Sequence, residues 1–422
     1  MRGGPALAAR KSRRTLGSQA GWTAVDQASS SINNAALTLL VARSVDAKAV
    51  GAFGVAFVAF TFMIGIARAV ITDPLVIRFS AAGPADQRRA IRDSAGASAL
   101  FGVAAGGLCA AAGAVLGGEL QVALTAVAVS VPTILVQDAW RHAFFAVGRP
   151  RAAAANDLTC ATVQFGLIAL LLATHRDSVL TLVLAWGLGT AAGTLYGVIQ
   201  LSAWPRPHGS LRWVRTQWPL GGRLGLDYLV NMGAYNLTLF VISAMLGLST
   251  AGAFRAAQTL LGPLQVLFAS LTAFVVPTFV RRSVGGPQRL RRPATLISVA
   301  AGGTAATWVG VLLLLPHRVG EMLLGDSWEG ARQVLLGTGL GNVGVGLVIG
   351  AYLSLKALGR GGTLLRVTAV QAPLFLLLAV VGAQVADAQG AAMGLALAQA
   401  IGTVAGWSRA RAAMSAPPPT PS

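Results

Sequence analysis

Apolar runs of about twenty residues, parted by short polar stretches, recur along the whole chain, and few contain any charge. A helix crossing ~30 Å of hydrocarbon needs ~20 such residues. The pattern predicts an all-α integral membrane protein with about twelve transmembrane helices. Spans are expected at about 20–42, 49–72, 93–116, 120–140, 152–174, 179–203, 222–246, 250–280, 294–315, 331–355, 364–386 and 390–407.

Composition points the same way: 55% of residues are hydrophobic, only 11% are charged, and the mean hydropathy is +0.66. Soluble domains carry ~25% charge. A net charge of +19 in a soluble chain would suggest nucleic acid, but here the basic residues sit in short segments between apolar spans. With the spans above, 26 of the 33 Lys and Arg residues fall on the side shared by both termini. Arg43, Lys48, Arg176, Arg318 and Arg332 fall on the other, and Arg68 and Arg255 lie inside spans. Cytoplasmic loops collect Lys and Arg, so both ends are expected in the cytoplasm of an inner-membrane, multi-pass protein with no nucleic-acid partner.

Residues 1–19 are expected to form a basic cytoplasmic tail, without the apolar core and cleavage site of a signal peptide. The Pro-rich end, within 409–422, is expected to be a disordered tail. Between spans six and seven, WPRPHGSLRWVRTQWPLGGR carries Pro205, Pro207 and Pro219 and paired glycines. These predict a cytoplasmic linker at 204–221 that interrupts the helix, with Trp204, Trp213 and Trp218 at headgroup level. Shifting the chain by 201 residues puts Gly21 on Gly222, Asp26 on Asp227 and Gly51-Ala52-Phe53 on Gly252-Ala253-Phe254. A shift of six spans preserves orientation, so an N-terminal lobe (20–203) and a C-terminal lobe (222–408) read as parallel repeats, with a substrate path between them.

Polar residues inside spans are the candidates for chemistry. On a helical period, Asp26, Ser30, Asn33 and Asn34 share a face of span one, and Asp227, Asn231, Tyr235 and Thr238 repeat the stripe in span seven. Such a stripe lines a wet cavity or bonds neighbouring helices together. Arg68 and Asp26 sit at matched depth near the cytoplasmic mouth, which predicts an ion pair between them. Arg255 lies near the outer mouth. Each arginine either serves a buried function or snorkels to the headgroups. Asp93 and Asp157 read as helix N-caps, Asp138 and Arg141 as a local pair at the end of span four, and Asp73-Pro74 as a helix stop.

Enzymatic signatures are missing from the sequence. It has no P-loop, its four histidines lie in loops or at span ends without zinc spacing, and Cys109 and Cys160 read as small helix- or lipid-facing residues. Neither an enzyme nor a cofactor- or metal-binding protein is expected.

The stretch GWTAVDQASSSINNAALTLLVARSVDAKAVGAFGVAFVAFTFMIGIARAVITDPLVIR resembles the start of polysaccharide exporters of the multidrug/oligosaccharidyl-lipid/polysaccharide (MOP) flippase superfamily. Their features are a DQ-x-x-SS-x-x-N helix, an AR…G-x-F turn and a helix ending near P-L-x-x-R. QDAWRHAFFAVGRPRAAAANDL and LLGDSWEGAR are similar to later parts of that family. The resemblance implies two six-helix lobes forming a V, the MATE/MOP arrangement. It also implies transfer of a polyprenyl-pyrophosphate-linked oligosaccharide between leaflets by alternating access, with Arg68 and Arg255 facing phosphate. Asp26 and Asp227 would orient them or carry H⁺ or Na⁺. Glycosyltransferases and a polysaccharide polymerase are candidate partners. The alternatives are a cation-coupled multidrug antiporter of the same fold and a non-transporting scaffold in a glycan-assembly complex.

Overall fold

A computed structural model describes residues 21, 37, 40, 47–176, 178–324 and 327–415, and is helical almost throughout. In chain order the elements are α1 (Ala47–Ala67), a π turn (Arg68–Thr72), α2 (Asp73–Phe79), α3 (Pro84–Leu116), α4 (Gly118–Ala146), α5 (Pro150–Ala173) and α6 (Val179–Leu201). There follow α7 (Pro207–Leu246), α8 (Leu248–Leu260), α9 (Gly262–Ser283), a 3₁₀ turn (Pro287–Leu290), α10 (Arg291–Leu313), α11 (His317–Leu324), α12 (Ser327–Ala357) and α13 (Gly361–Ser415). Among the described residues, ten helical stretches are long and apolar enough to cross a membrane. The last is two helices in one: Ala386 (φ −149°) and Asp387 (φ +48°) break it into antiparallel arms. The all-α, multi-span class read from the sequence is borne out. Most of span one, with Asp26, Ser30, Asn33 and Asn34, lies outside the described residues.

Chain contacts divide the molecule into two units, one up to Gly222 and one from Arg223. Each has its own interior. In the first, Phe57 and Phe60 of α1 pack on Trp186 of α6, the latter pair edge to face at 4.7 Å, and Trp140 and Phe144 of α4 are fully buried. In the second, Ile242, Phe254, Val334, Phe375 and Leu395 form a core with many alanines around them. Apolar burial drives little association in lipid, so close backbone approach must supply much of the packing. The α13 hairpin shows how: Gly382, Gly390 and Gly394 lie where any Cβ would run into the opposite arm's backbone.

Two proline expectations are overturned. Asp73-Pro74 does not end the helix. Pro74 has no N–H for the Val70 carbonyl, and the chain absorbs this with the wider π turn, closed by Asp73 N–H to Arg68 O. Nor does the 204–221 segment interrupt the next span. Pro207 sits in the first turn of α7, where no donor is needed, and Pro219 is carried inside a 40-residue helix. At 1.5 Å per residue α7 is ~60 Å long, twice the hydrocarbon thickness.

Its first half is packed on the N-terminal unit rather than lying as a tether. Trp213 is buried, packs tilted against Phe79 with ring centroids 5.4 Å apart and donates its indole N–H to Ile71 O of the π turn at 3.3 Å. Gly221 lets the helix approach Val70 O, the carbonyl that Pro74 leaves without a helical donor. Trp204 and Trp218 are exposed. Asp93 caps nothing either: buried within α3, it meets Arg212 Nη2 at 3.4 Å and Arg89 Nε at 4.0 Å.

Candidate functional site

Each unit contains a polar network. In the N-terminal unit, Arg68 opens the π turn, where the changed helical twist re-aims its side chain across to α4. Its Nε reaches both oxygens of Asp138, at 3.2 and 3.0 Å, and its Nη2 reaches Oδ1 at 2.7 Å. Such a forked, charge-assisted contact fixes orientation as well as energy. Asp138 is nearly buried, while the Arg68 side chain is 40% exposed, so the guanidinium keeps an open edge. One turn on, His142 Nδ1 lies 2.8 Å from Asp138 O and 3.4 Å from its carboxylate.

Beside this cluster, Arg141 Nε lies 3.6 Å from Asp157 Oδ2, with Arg141 buried and Asp157 nearly so. Gln137 Nε2 donates to Asp157 Oδ1 at 2.8 Å and to Asn156 Oδ1 at 3.2 Å. Asn156 Nδ2 in turn donates to Gly193 O and to Gln200 Oε1. Gln137, Asp138, Arg141 and His142 are spaced so that one turn of α4 presents two polar faces, one toward Arg68 and one toward α5.

Two sequence expectations change here. The Asp26–Arg68 pair is not among them, since Asp26 lies outside the described residues; among those described, Arg68 pairs with Asp138. Asp138 and Arg141 are not simply a local pair, since each has a long-range partner. Asp157 is no cap, because it is the eighth residue of α5. The signal was present in the sequence: three polar side chains within QDAWR, inside an otherwise apolar run, are costly in lipid and demand partners.

In the C-terminal unit the stripe on α7 separates. Asp227 hydrogen-bonds the Thr368 hydroxyl of α13, has the Lys356 ammonium of α12 in its surroundings, and interacts with Tyr352 one turn before that lysine. Its Oδ1 is buried and has no hydrogen-bond donor among the described residues. Tyr352 Oη donates to Gln371 Oε1 at 3.3 Å, and Gln371 Nε2 donates to Gln399 Oε1 at 3.0 Å across the α13 arms. The network thus joins three helices. Further along α7, Tyr235 Oη accepts from Gln258 Nε2, Thr238 is buried and donates back to Ala234 O, and Asn231 is exposed. Arg255 is exposed on α8, and its side chain makes no ion pair among the described residues.

No group of three or more His, Cys, Asp or Glu residues with metal-binding geometry occurs among the described residues. Cys109 and Cys160 are both buried thiols.

Against solved structures the architecture is matched over nearly its whole length. An outward-facing multidrug-resistance MATE-family transporter of the MOP superfamily superposes with a TM-score of 0.81 at 13% identity, covering 95% of each chain. This is the MOP transporter fold. A MOP-superfamily transporter from Pyrococcus furiosus, described by the reverse polarity of its binding pocket, matches with TM-score 0.78 at 13% identity and 95% of both chains. A MATE transporter from Vibrio cholerae matches with TM-score 0.77 at 14% identity, over 95% of this chain and 96% of that one. The family model described as polysaccharide biosynthesis protein matches residues 151–332, from α5 into α12. No curated protein matches the sequence. The fold and the family match over 151–332, a little under half of the chain, agree with the resemblance to polysaccharide exporters of the MOP superfamily read from the sequence. The chain is a multi-pass membrane protein with the fold of those transporters.

Proposed function

We propose that this MOP-fold protein flips a lipid-linked oligosaccharide across the cytoplasmic membrane by alternating access. The observation that carries the reading is the polysaccharide-biosynthesis match over 151–332, laid on a transporter fold. The physical need is plain: one charged side chain at the bilayer midplane already costs ~2.5–3.5 kcal/mol on a lenient scale, and a pyrophosphate-sugar head carries more. A hydrated route for the head, with the lipid tail left in the bilayer, removes that barrier.

In this reading both termini are cytoplasmic, and Arg68 and Arg255 engage phosphate near the inner and outer mouths. Arg68 is held by Asp138 with one edge open, and Arg255 is exposed and unengaged. Asp227, with its unpartnered oxygen beside Lys356, is the proposed coupling group for H⁺ or Na⁺ in the C-terminal unit. Asp26, Ser30, Asn33, Asn34, Asn231 and Tyr235 are proposed to line the route. Glycosyltransferases and a polymerase are the proposed partners.

A second reading, a cation-coupled multidrug antiporter, is favoured by the MATE transporters among the structural matches. A deletion strain complemented with the wild-type gene separates the two. The flippase reading expects loss and restoration of surface glycan with unchanged drug tolerance. Normal surface glycan together with hypersensitivity to cationic drugs would give the case to the antiporter.

A further inference from the structure

Where α9 ends, Arg281 and Arg282 occupy its last turn, and the chain turns back through Val284, Gly285 and Gly286 to the 3₁₀ turn carrying Arg289. The reversal depends on Gly286, whose φ of +106° is open to glycine and strained for other residues. Gly285 lies directly under the Arg289 guanidinium, whose flexible end would have to shift to admit a Cβ there. The turn therefore aims Arg289 back at the helix end. Arg281, Arg282, Val284, Gly285 and Arg289 together line an open groove of about 630 Å³.

Arg282 and Arg289, facing the same groove, repel one another unless an anion joins them. The sequence supplies none nearby: from Tyr228 to Gly320 there is neither Asp nor Glu. Arg282 and Arg289 make no ion pair among the described residues. The groove lies at the end of a membrane-crossing helix, and Val284, 77% exposed, gives it an apolar lip among the charges. A forked cationic cradle with an apolar edge, at the boundary of the hydrocarbon, suits a phosphate whose other end is a lipid chain.

We propose that this groove binds the phosphate headgroup of an anionic phospholipid of the surrounding leaflet, on the side that the arginine asymmetry assigns to the cytoplasm. Lipid charge then seats the C-terminal unit at a fixed point instead of through diffuse attraction. The inference is independent of the transported substrate.

The test is native mass spectrometry of the delipidated full-length protein, titrated with phosphatidylglycerol or phosphatidylcholine. A basic residue beside an anionic lipid surface contributes roughly fivefold in binding. Arg282→Gln/Arg289→Gln should therefore weaken phosphatidylglycerol binding by about 25-fold and leave phosphatidylcholine adducts unchanged. Arg291→Gln/Arg292→Gln removes the same charge from adjacent residues outside the groove and should weaken binding less than threefold. Arg282→Lys/Arg289→Lys keeps the charge without the fork and should fall between, which keeps the test open if the Gln variant folds poorly. Equal losses in the two Gln variants would reduce the groove to general surface charge and overturn the proposal. Full competition by millimolar inorganic phosphate, or adducts with a polyprenyl phosphate but not with phosphatidylglycerol, would overturn it in favour of a different phosphate source.

Discussion

Arg68 and Asp138 stand seventy positions apart and meet through a forked contact, Nη2 to Oδ1 at 2.7 Å, between a π turn and the last third of helix α4. Breaking a buried pair from one side strands the other charge, at a cost of ~3–5 kcal/mol. The partial exposure of Arg68 puts this pair at the lower end. Asp138→Asn and Arg68→Gln should each lower the thermal midpoint clearly, and the double variant should recover part of the loss. Additive losses would mean that the pair is not coupled.

Arg141, Asp157 and Gln137 predict a different pattern, because all three are enclosed. Asp157→Asn removes the carboxylate 3.6 Å from Arg141 Nε in a nearly dry setting and should cost as much as the Arg68 variants or more. Gln137→Leu removes one donor to Asp157 and should cost only ~1–3 kcal/mol. Chemical-shift-free thermal melts in one detergent suffice to rank them, and a reversed order would contradict the network.

The hairpin of α13 gives a packing test. Gly394→Leu drives a side chain into the backbone at Leu378, with no flexible neighbour to yield. Overpacking of this kind costs ~1–3 kcal/mol, and more where backbone must move. Gly303→Leu, at a helical position with open space around its Cβ, is the matched control and should express normally.

Several features were legible because lipid enforces them. The antiparallel arms of α13 were placed at 364–386 and 390–407 by apolar run length alone, and the break falls at Ala386 and Asp387. Prolines misled, since the π turn absorbs the donor that Pro74 lacks, Pro207 sits in a first turn where no N–H is needed, and Pro219 is tolerated inside a helix. The candidate site was half legible. That Arg68 could reach a carboxylate was legible from its depth in the chain, with snorkelling to the headgroups as the alternative. The contact with Asp138 was not legible, because depth matching ranks helices adjacent in sequence, whereas the π turn aims Arg68 at α4. Asp227 was visible as an intramembrane acid, but its neighbours Lys356, Thr368 and Tyr352 come from helices more than a hundred residues away.

Topology is the next expectation to check. Phosphatase and fluorescent-protein fusions after residues 118, 177, 210 and 388 should report 210 as cytoplasmic and the other three as external. Phosphatase activity at 210, or its absence at the other three, would remove the cytoplasmic assignment of both termini.

Arg255 separates function from stability. It is exposed and unpaired among the described residues, so Arg255→Ala should leave protein level and thermal midpoint within ~0.5 kcal/mol of wild type. The flippase reading expects the same variant to cut surface glycan severalfold. Loss of protein level in parallel would make Arg255 structural instead.

The most direct test is leaflet-resolved measurement of the lipid-linked precursor in a deletion strain and in the same strain carrying the wild-type gene. Flipping predicts a polyprenyl-linked glycan that accumulates on the cytoplasmic leaflet without the protein and reaches the outer leaflet with it. An unchanged distribution between leaflets in the deletion strain would contradict the account.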